Sequence, residues 1–140
     1  MVIYINISNV VDDAGAVYLM ESGSSDPIPP KGKLIQSLNE ANGRLVHMLG
    51  RFLSTGCQPS AEDSQGVCET FRYELRFSPR RAAGKAQSLA DQMHAFLVEA
   101  TLAKCYASMG LAEQAARHDA QAVSAAEVIR QLIHSKIPPM

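Results

Sequence analysis

Histidine and cysteine are the residue types in this 140-residue sequence best suited to metal binding or nucleophilic catalysis. The four histidines stand at different helical positions: His47, His94, His118 and His134. No two of them have the i, i+4 spacing with an acid between them that a helical metal site uses. A metal site would need ligands that converge from distant parts of the chain. We therefore expect no metal and interpret the histidines as solvated or capping side chains.

The cysteines also lack the spacing of a zinc or redox motif. Cys57, Cys68 and Cys105 are an odd number and far apart, which fits a protein kept in the reducing cytoplasm. Cys105 follows His94 by eleven residues in one predicted helix, about three turns away. A Cys-His nucleophile would therefore need a histidine from elsewhere. We interpret Cys105 as a small buried side chain.

Motifs of the common enzyme classes are absent from the sequence: there is no Gly-x-Ser-x-Gly elbow, phosphate-cradling glycine loop or dinucleotide fingerprint. We expect no catalytic residue, no cofactor and no small-molecule substrate. The net charge of −1 supplies no overall attraction for nucleic acid or an anionic membrane. No apolar run approaches the roughly 20 residues that cross a bilayer, and no signal-peptide pattern is present. We expect a cytoplasmic protein without a membrane partner.

One basic segment stands out against this balanced composition. It places five cationic residues within fourteen positions: Arg72, Arg76, Arg80, Arg81 and Lys85. Such a patch could bind an acidic protein surface or a nucleic-acid backbone. The alternative is a solvated strand face, with Glu69 and Glu74 interspersed among the cations. Because the net charge of the chain is nearly neutral and only this segment is basic, we expect protein partners rather than nucleic acid.

The elements that must position these residues are centred on two long predicted helices, over residues 86–108 and 112–135, joined at Met109-Gly110-Leu111. The first has apolar residues at steps of three and four on more than one side, as expected of a central helix. The second is rich in alanine, which lets two helix backbones approach closely. We predict a tight antiparallel hairpin.

Further helices are predicted upstream. Residues 10–20 form a short helix, with Ser8 and Asn9 as caps, and residues 33–54 form a longer amphipathic one. Gly43 and Gly50 in the longer helix are interpreted as points where another helix comes near. The proline- and glycine-rich residues 21–33 between the two helices are expected to form a mobile loop. The C-terminal residues 137–140 are expected to form an extended tail.

The clearest strand is residues 67–77, where aromatic and aliphatic residues alternate with charged ones. A lone strand would leave its backbone groups unpaired. We expect it to pair antiparallel with residues 2–7, which also favour a strand, or with residues 57–66. The overall prediction is a single, mainly α (α+β) domain over residues 1–140, with about four helices, a C-terminal antiparallel helical hairpin and a small two-stranded antiparallel β element.

Part of the hairpin resembles the tetratricopeptide pattern of small and aromatic residues where two helices of a repeat pack. The resemblance rests on Leu102, Ala103, Tyr106, Gly110, Ala115 and Ala122. It implies a helical adaptor that binds peptides. A second copy of the roughly 34-residue unit does not precede this one, and a generic helical hairpin explains the same residues.

The order of elements carries a second resemblance, which spans most of the chain. An N-terminal strand and helix, a loop and a long helix precede the alternating strand, which leads through Ser78-Pro79 into the long helices and the ending His134-Ser135-Lys136-Ile137-Pro138-Pro139. This order resembles small structural proteins from prophages of Bacteroides-type gut bacteria, similar in layout to head-to-tail connector proteins of tailed phages. The aromatic residue expected near residues 104–106 is represented only by Tyr106.

The second resemblance implies a non-enzymatic structural or assembly protein of a phage or prophage, possessing neither cofactor nor metal. Its expected partners are copies of itself and portal or tail proteins, and its expected location is the cytoplasm and then the virion. A helical protein-interaction adaptor unrelated to phage is the alternative hypothesis. A small hydrolase or other enzyme is a third.

Overall fold

A computed structural model describes residues 2–22, 31–53, 62–63, 66–67, 70–76 and 84–134. The elements in chain order are β1 (Val2–Asn6), α1 (Ile7–Ser22), α2 (Lys31–Leu49), a 3-10 turn (Gly50–Phe52), β2 (Glu62–Asp63), β3 (Gly66–Val67), β4 (Thr70–Glu74), α3 (Ala86–Ser108) and α4 (Ala112–His134). This arrangement confirms the predicted mainly α (α+β) fold. The predicted tail at residues 137–140 lies outside the described residues.

The helical hairpin of α3 and α4 is confirmed with nearly the predicted bounds. Gly110 has a φ of 76°, a left-handed conformation that glycine adopts without strain, and it reverses the chain after α3. The Leu111 amide donates to the Tyr106 carbonyl at 3.0 Å, which closes the turn. On α4, Ala122, Ala125 and Ala126 are buried in the hydrophobic core. Small side chains therefore allow the close approach that the alanine pattern predicted.

Helix α3 lies at the centre of the molecule. It packs against α4, α2, α1 and β1, and its buried positions occupy several sides, including Leu89, Phe96 and Tyr106. This arrangement explains why the sequence predicts apolar residues on several sides of the helix, because a helix with several neighbours must bury several faces.

The sheet settles the choice between the two predicted strand pairings. β1 pairs antiparallel with β4, with Ile3 opposite Tyr73 and Ile5 opposite Phe71 on the buried face. Residues 62–63 and 66–67 instead form a separate antiparallel pair, β2 with β3. Strand β4 is shorter than predicted, and Leu75 beyond it forms an isolated bridge with Leu53.

The observed bounds of α1 and α2 correct the predicted start of the first helix, its predicted caps and the predicted loop at residues 21–33. Helix α1 begins at Ile7, and the Asn6 side-chain oxygen accepts from the Asn9 amide at 2.9 Å. Asn6 is therefore the capping residue, and Ser8 and Asn9 lie inside the helix. Because α1 continues to Ser22 and α2 begins at Lys31, both ends of the predicted loop at residues 21–33 are helical. Residues 23–30 lie outside the described residues.

The bundle has two distinguishable ends. At one end, the last turns of α1 and α3 meet the first turn of α4, where Tyr18 stacks on Tyr106. At the other end, the Lys85 amine donates to the Leu132 carbonyl, joining the start of α3 to the last turns of α4. Helix α2 runs antiparallel to α3, since Arg44 stacks on Phe96 and the start of α2 lies near the end of α3.

Candidate functional site

The described members of the predicted basic patch are Arg72, Arg76 and Lys85, and each has different neighbours. Arg72 pairs with Glu74 at 3.4 Å on the solvent-exposed sheet face, and Lys85 binds the Leu132 carbonyl at 3.2 Å. Arg76 is exposed, and its amide donates to the Phe52 carbonyl at 2.7 Å, just beyond the end of α2. Arg76 and Lys85 thus share one end of the bundle, named here the basic end. Arg80 and Arg81 lie outside the described residues.

The candidate residues for nucleophilic or metal chemistry lie apart. Cys105 is fully buried, as predicted, and burial raises the pKa of its thiol, an effect that the Lys33 charge partly offsets. His94 does not contact Cys105 but pairs with Asp13 at 2.6 Å. His47 is exposed. Among the described residues, no group of three His, Cys, Asp or Glu side chains is placed to hold a metal ion.

His118 is the residue whose setting the sequence reasoning missed. Its side chain is only 3% exposed, and its Nδ1 lies 2.5 Å from Glu99 Oε2. Its Nε2 lies 2.7 Å from Glu21 Oε1, at an ion-pair distance but without the alignment of a good hydrogen bond. The prediction of a solvated or capping side chain was therefore wrong for His118, and Glu99 is not an ordinary surface charge.

Tyr106 covers one face of the His118 ring. The two rings are nearly parallel, and the Tyr106 hydroxyl donates to Glu21 Oε2 at 3.3 Å. Burial raises the pKa of Tyr106 to about 12, with the negative charge of Glu21 and this hydrogen bond reinforcing the shift, and Arg117 opposing it. The hydroxyl therefore remains a protonated donor at physiological pH.

Glu21 joins three elements through its carboxylate. Besides His118 and Tyr106, it pairs with Arg117 Nη2 at 2.6 Å. Glu99 has a second neighbour as well, because the Gln121 amide nitrogen comes within 2.8 Å of Glu99 Oε1 when the amide is oriented to donate. Because Glu21 belongs to α1, Glu99 and Tyr106 to α3, and the remaining side chains to α4, their contacts hold three helices together. The name His118 cluster is used below for Glu21, Glu99, Tyr106, Arg117 and His118.

A cavity of about 500 Å³ opens beside the His118 cluster. Its walls come from the last turn of α1, the end of α3 and the beginning of α4: Tyr18, Glu21, Tyr106, Leu111, Glu113, Gln114 and Arg117. The cavity therefore marks the end of the bundle opposite the basic end, named here the cavity end. It combines aromatic rings with carboxylates, a setting that suits a cationic group.

The chemistry open to His118 is limited by its neighbours. Carboxylates accept hydrogen bonds only, so Nδ1 is the donor in its contact with Glu99. A general base needs a ring nitrogen within reach of the proton it removes. Because Nδ1 contacts Glu99 and the Glu21 carboxylate lies 2.7 Å from the buried Nε2, the arrangement favours holding three helices together over proton transfer to a substrate.

Comparisons of the chain with protein families, with curated proteins and with solved structures found no match. Across the parts of the chain that the structure describes, none of the helices has the length and apolar character needed to cross a membrane.

Proposed function

We propose that this chain is a non-enzymatic structural or assembly subunit of a phage or prophage, of the head-to-tail connector type. The observation that carries the proposal is the placement of exposed apolar side chains on a bundle whose buried polar cluster is internally paired. Such a molecule offers surfaces for protein contact, and the His118 cluster stabilises its fold.

Two exposed apolar sites support protein association. Met20, near the end of α1, is 84% exposed and follows the exposed Leu19. Tyr4 is 60% exposed on the outer face of β1, beside Val2. Single exposed apolar residues are common on protein surfaces, but adjacent large ones are more typical of surfaces that a partner covers.

The sheet edge adds a third feature. The two-stranded sheet has the order β1 and β4, so among the described strands β1 has a neighbour on one side only. Its residues are Val, Ile, Tyr, Ile and Asn, without the charge or proline that blunts many edge strands. An extended segment of a partner could hydrogen-bond to this edge.

The decisive experiment measures solution mass by light scattering over a wide range of protein concentration, alone and with the portal protein of the same genome. A discrete oligomer, alone or on the portal, is expected. A protein that stays monomeric under both conditions would contradict the proposal. Met20→Ser and Tyr4→Ser should weaken association, whereas Lys104→Gln, an exposed change on α3, serves as a matched control.

The adaptor alternative makes a different prediction. Because α3 is covered by α1, α2 and β1, a peptide would have to bind the outer face of α4. A monomer that binds peptides, with loss of binding on Val123→Ser, would favour this function. Val123 is about half exposed on that face.

A further inference from the structure

The cavity at the cavity end is formed by three separate segments of the chain. Its walls come from the last turn of α1, the end of α3 and the first turns of α4, and its volume is about 500 Å³. Cavities of roughly 300 to 1,000 Å³ are typical of small-molecule sites, where apolar walls hold the body of a ligand and a few polar groups orient it. This cavity has walls of both kinds.

We propose that the cavity binds a small organic cation, with one ammonium or guanidinium group on a compact apolar body. The proposal goes beyond the assembly function, because it assigns a ligand to a single chain and requires no second copy. It depends on one carboxylate of the lining, on the charge around the cavity and on the apolar walls beside that carboxylate.

Glu113 is the carboxylate that can bind such a ligand. Glu21 is already paired with Arg117 at 2.6 Å and lies 2.7 Å from His118 Nε2. Glu113 is exposed in the first turn of α4 and has no ion-pair partner within the described part of the chain. A cationic group that enters the cavity can therefore bind Glu113 without breaking an existing ion pair.

The charge around the cavity is negative. The lining holds two carboxylates, Glu21 and Glu113, against the single guanidinium of Arg117. The balance stays negative when the adjoining Glu99 and His118 are included, whether the imidazole carries one proton or two. An anion would therefore meet net repulsion, whereas a monovalent cation neutralises the excess charge of the lining.

The apolar walls suit the body of the ligand. The rings of Tyr18 and Tyr106 and the side chain of Leu111 form part of the lining. Leu111 is 39% exposed, so a ligand that covers it removes apolar surface from water. Gln114, which is half-buried, adds an amide oxygen that can accept a hydrogen bond from an ammonium group.

A ligand in this position contacts α1, α3 and α4 together. The complete lining exists only when the three helices are packed, because each contributes part of the wall. A ligand that binds the folded chain and not the unfolded one stabilises the fold in proportion to the logarithm of its concentration. The temperature of unfolding should therefore rise as the cation is added.

Benzylamine is the probe, because it carries one ammonium group on a compact apolar body, and benzyl alcohol is its neutral analogue. Calorimetry measures the binding of each to the full chain. We expect saturable binding of benzylamine, weaker at high salt, and binding of benzyl alcohol that is about tenfold weaker or less. Changes in NMR chemical shift should centre on Leu111, Glu113 and Gln114.

Two variants of the lining should change the affinity in opposite directions. Glu113→Gln should weaken benzylamine binding by about tenfold or more, because it removes the anchoring charge and keeps the size of the side chain. Arg117→Gln should tighten binding, because it removes the cation that repels the ligand. General damage to the fold would not produce opposite changes.

Glu127→Gln is the matched control. Glu127 is exposed on α4, fourteen residues beyond Glu113 and outside the lining. This variant removes the same charge from the same helix and should bind benzylamine as the wild type does. Circular dichroism checks that every variant is folded.

Four outcomes would overturn the inference. They are no saturable binding up to about 10 mM benzylamine, equal affinity for benzyl alcohol, wild-type affinity in Glu113→Gln, and affinity in Arg117→Gln that does not exceed the wild type. The assembly function stands or falls separately, since its test is the solution mass of the chain without amine.

Discussion

The imidazole ring of His118 lies against the phenol ring of Tyr106, with ring centroids 5.4 Å apart and planes 10° from parallel. Tyr106 in turn stacks on Tyr18 at 5.5 Å. Three rings from α4, α3 and α1 thus form one column, and the carboxylates of Glu21 and Glu99 flank its histidine. The column links the N-terminal helix to the C-terminal hairpin.

Loss of one carboxylate from this column should destabilise the fold. Glu99→Gln removes the negative charge that faces Nδ1 of the buried His118, and we expect the free energy of unfolding to fall by about 1–3 kcal/mol. Denaturant titration measures the change. Asp13→Asn, which affects the more exposed pair with His94, should cost less than about 1 kcal/mol. Equal effects of the two changes would contradict a stabilising role for the column.

Alkaline pH should destabilise the protein through Tyr106. Its pKa is about 12 in the folded protein, against an ordinary value of 10.0. Below pH 10 the hydroxyl is protonated in both states, whereas between about pH 10 and 12 only the unfolded chain loses the proton. The free energy of unfolding should therefore decrease as pH rises through this window.

The Tyr106→Phe variant isolates this contribution. Its free energy of unfolding should decline less steeply between pH 10 and 12 than that of the wild type. Burial also raises the pKa of Tyr73, so part of the slope should remain in the variant. Identical slopes would show that Tyr106 does not contribute.

Removal of the Tyr73 hydroxyl should also be costly. The hydroxyl donates to Asn42 Oδ1 where both residues are buried, and it joins β4 to α2. Tyr73→Phe takes this donor away from Asn42, and we expect a loss of about 1–3 kcal/mol in denaturant unfolding. Tyr4→Phe, on the exposed sheet face, should leave stability nearly unchanged. A similar effect of both variants would contradict the prediction.

Gly43→Ala should stabilise the protein by about 1 kcal/mol. Gly43 is exposed within α2, and an added Cβ would meet nothing within 4 Å, which corrects the expectation that another helix comes near. Alanine favours the helix by about this amount. Gly50→Ala is the contrasting control, because Gly50 has a φ of 47° and alanine there should destabilise. Thermal unfolding of both variants distinguishes the two effects.

Much of the His118 cluster lay within reach of sequence reasoning. A hairpin that turns at residues 109–111 brings residues before the turn opposite those at a similar distance after it, which places Glu99 near His118. The apolar spacings could not reveal this pairing, because charged residues on a helix face are interpreted as solvated unless a partner is assigned. The contact of Glu21 with His118 was harder to predict, because the predicted loop began at Glu21, whereas α1 continues through that residue.

The sequence by itself determined the elements whose signals are local. The 3.6-residue spacing, Gly110 and the alanine-rich face established α3 and α4 as a hairpin, and the alternation through Phe71 and Tyr73 established a strand. Only the tertiary structure decided which helix covers His118, which carboxylates flank it and which charges stand at opposite ends of the bundle. Those facts depend on contacts between residues far apart in the chain, such as Glu21 and His118, whose residue numbers differ by 97.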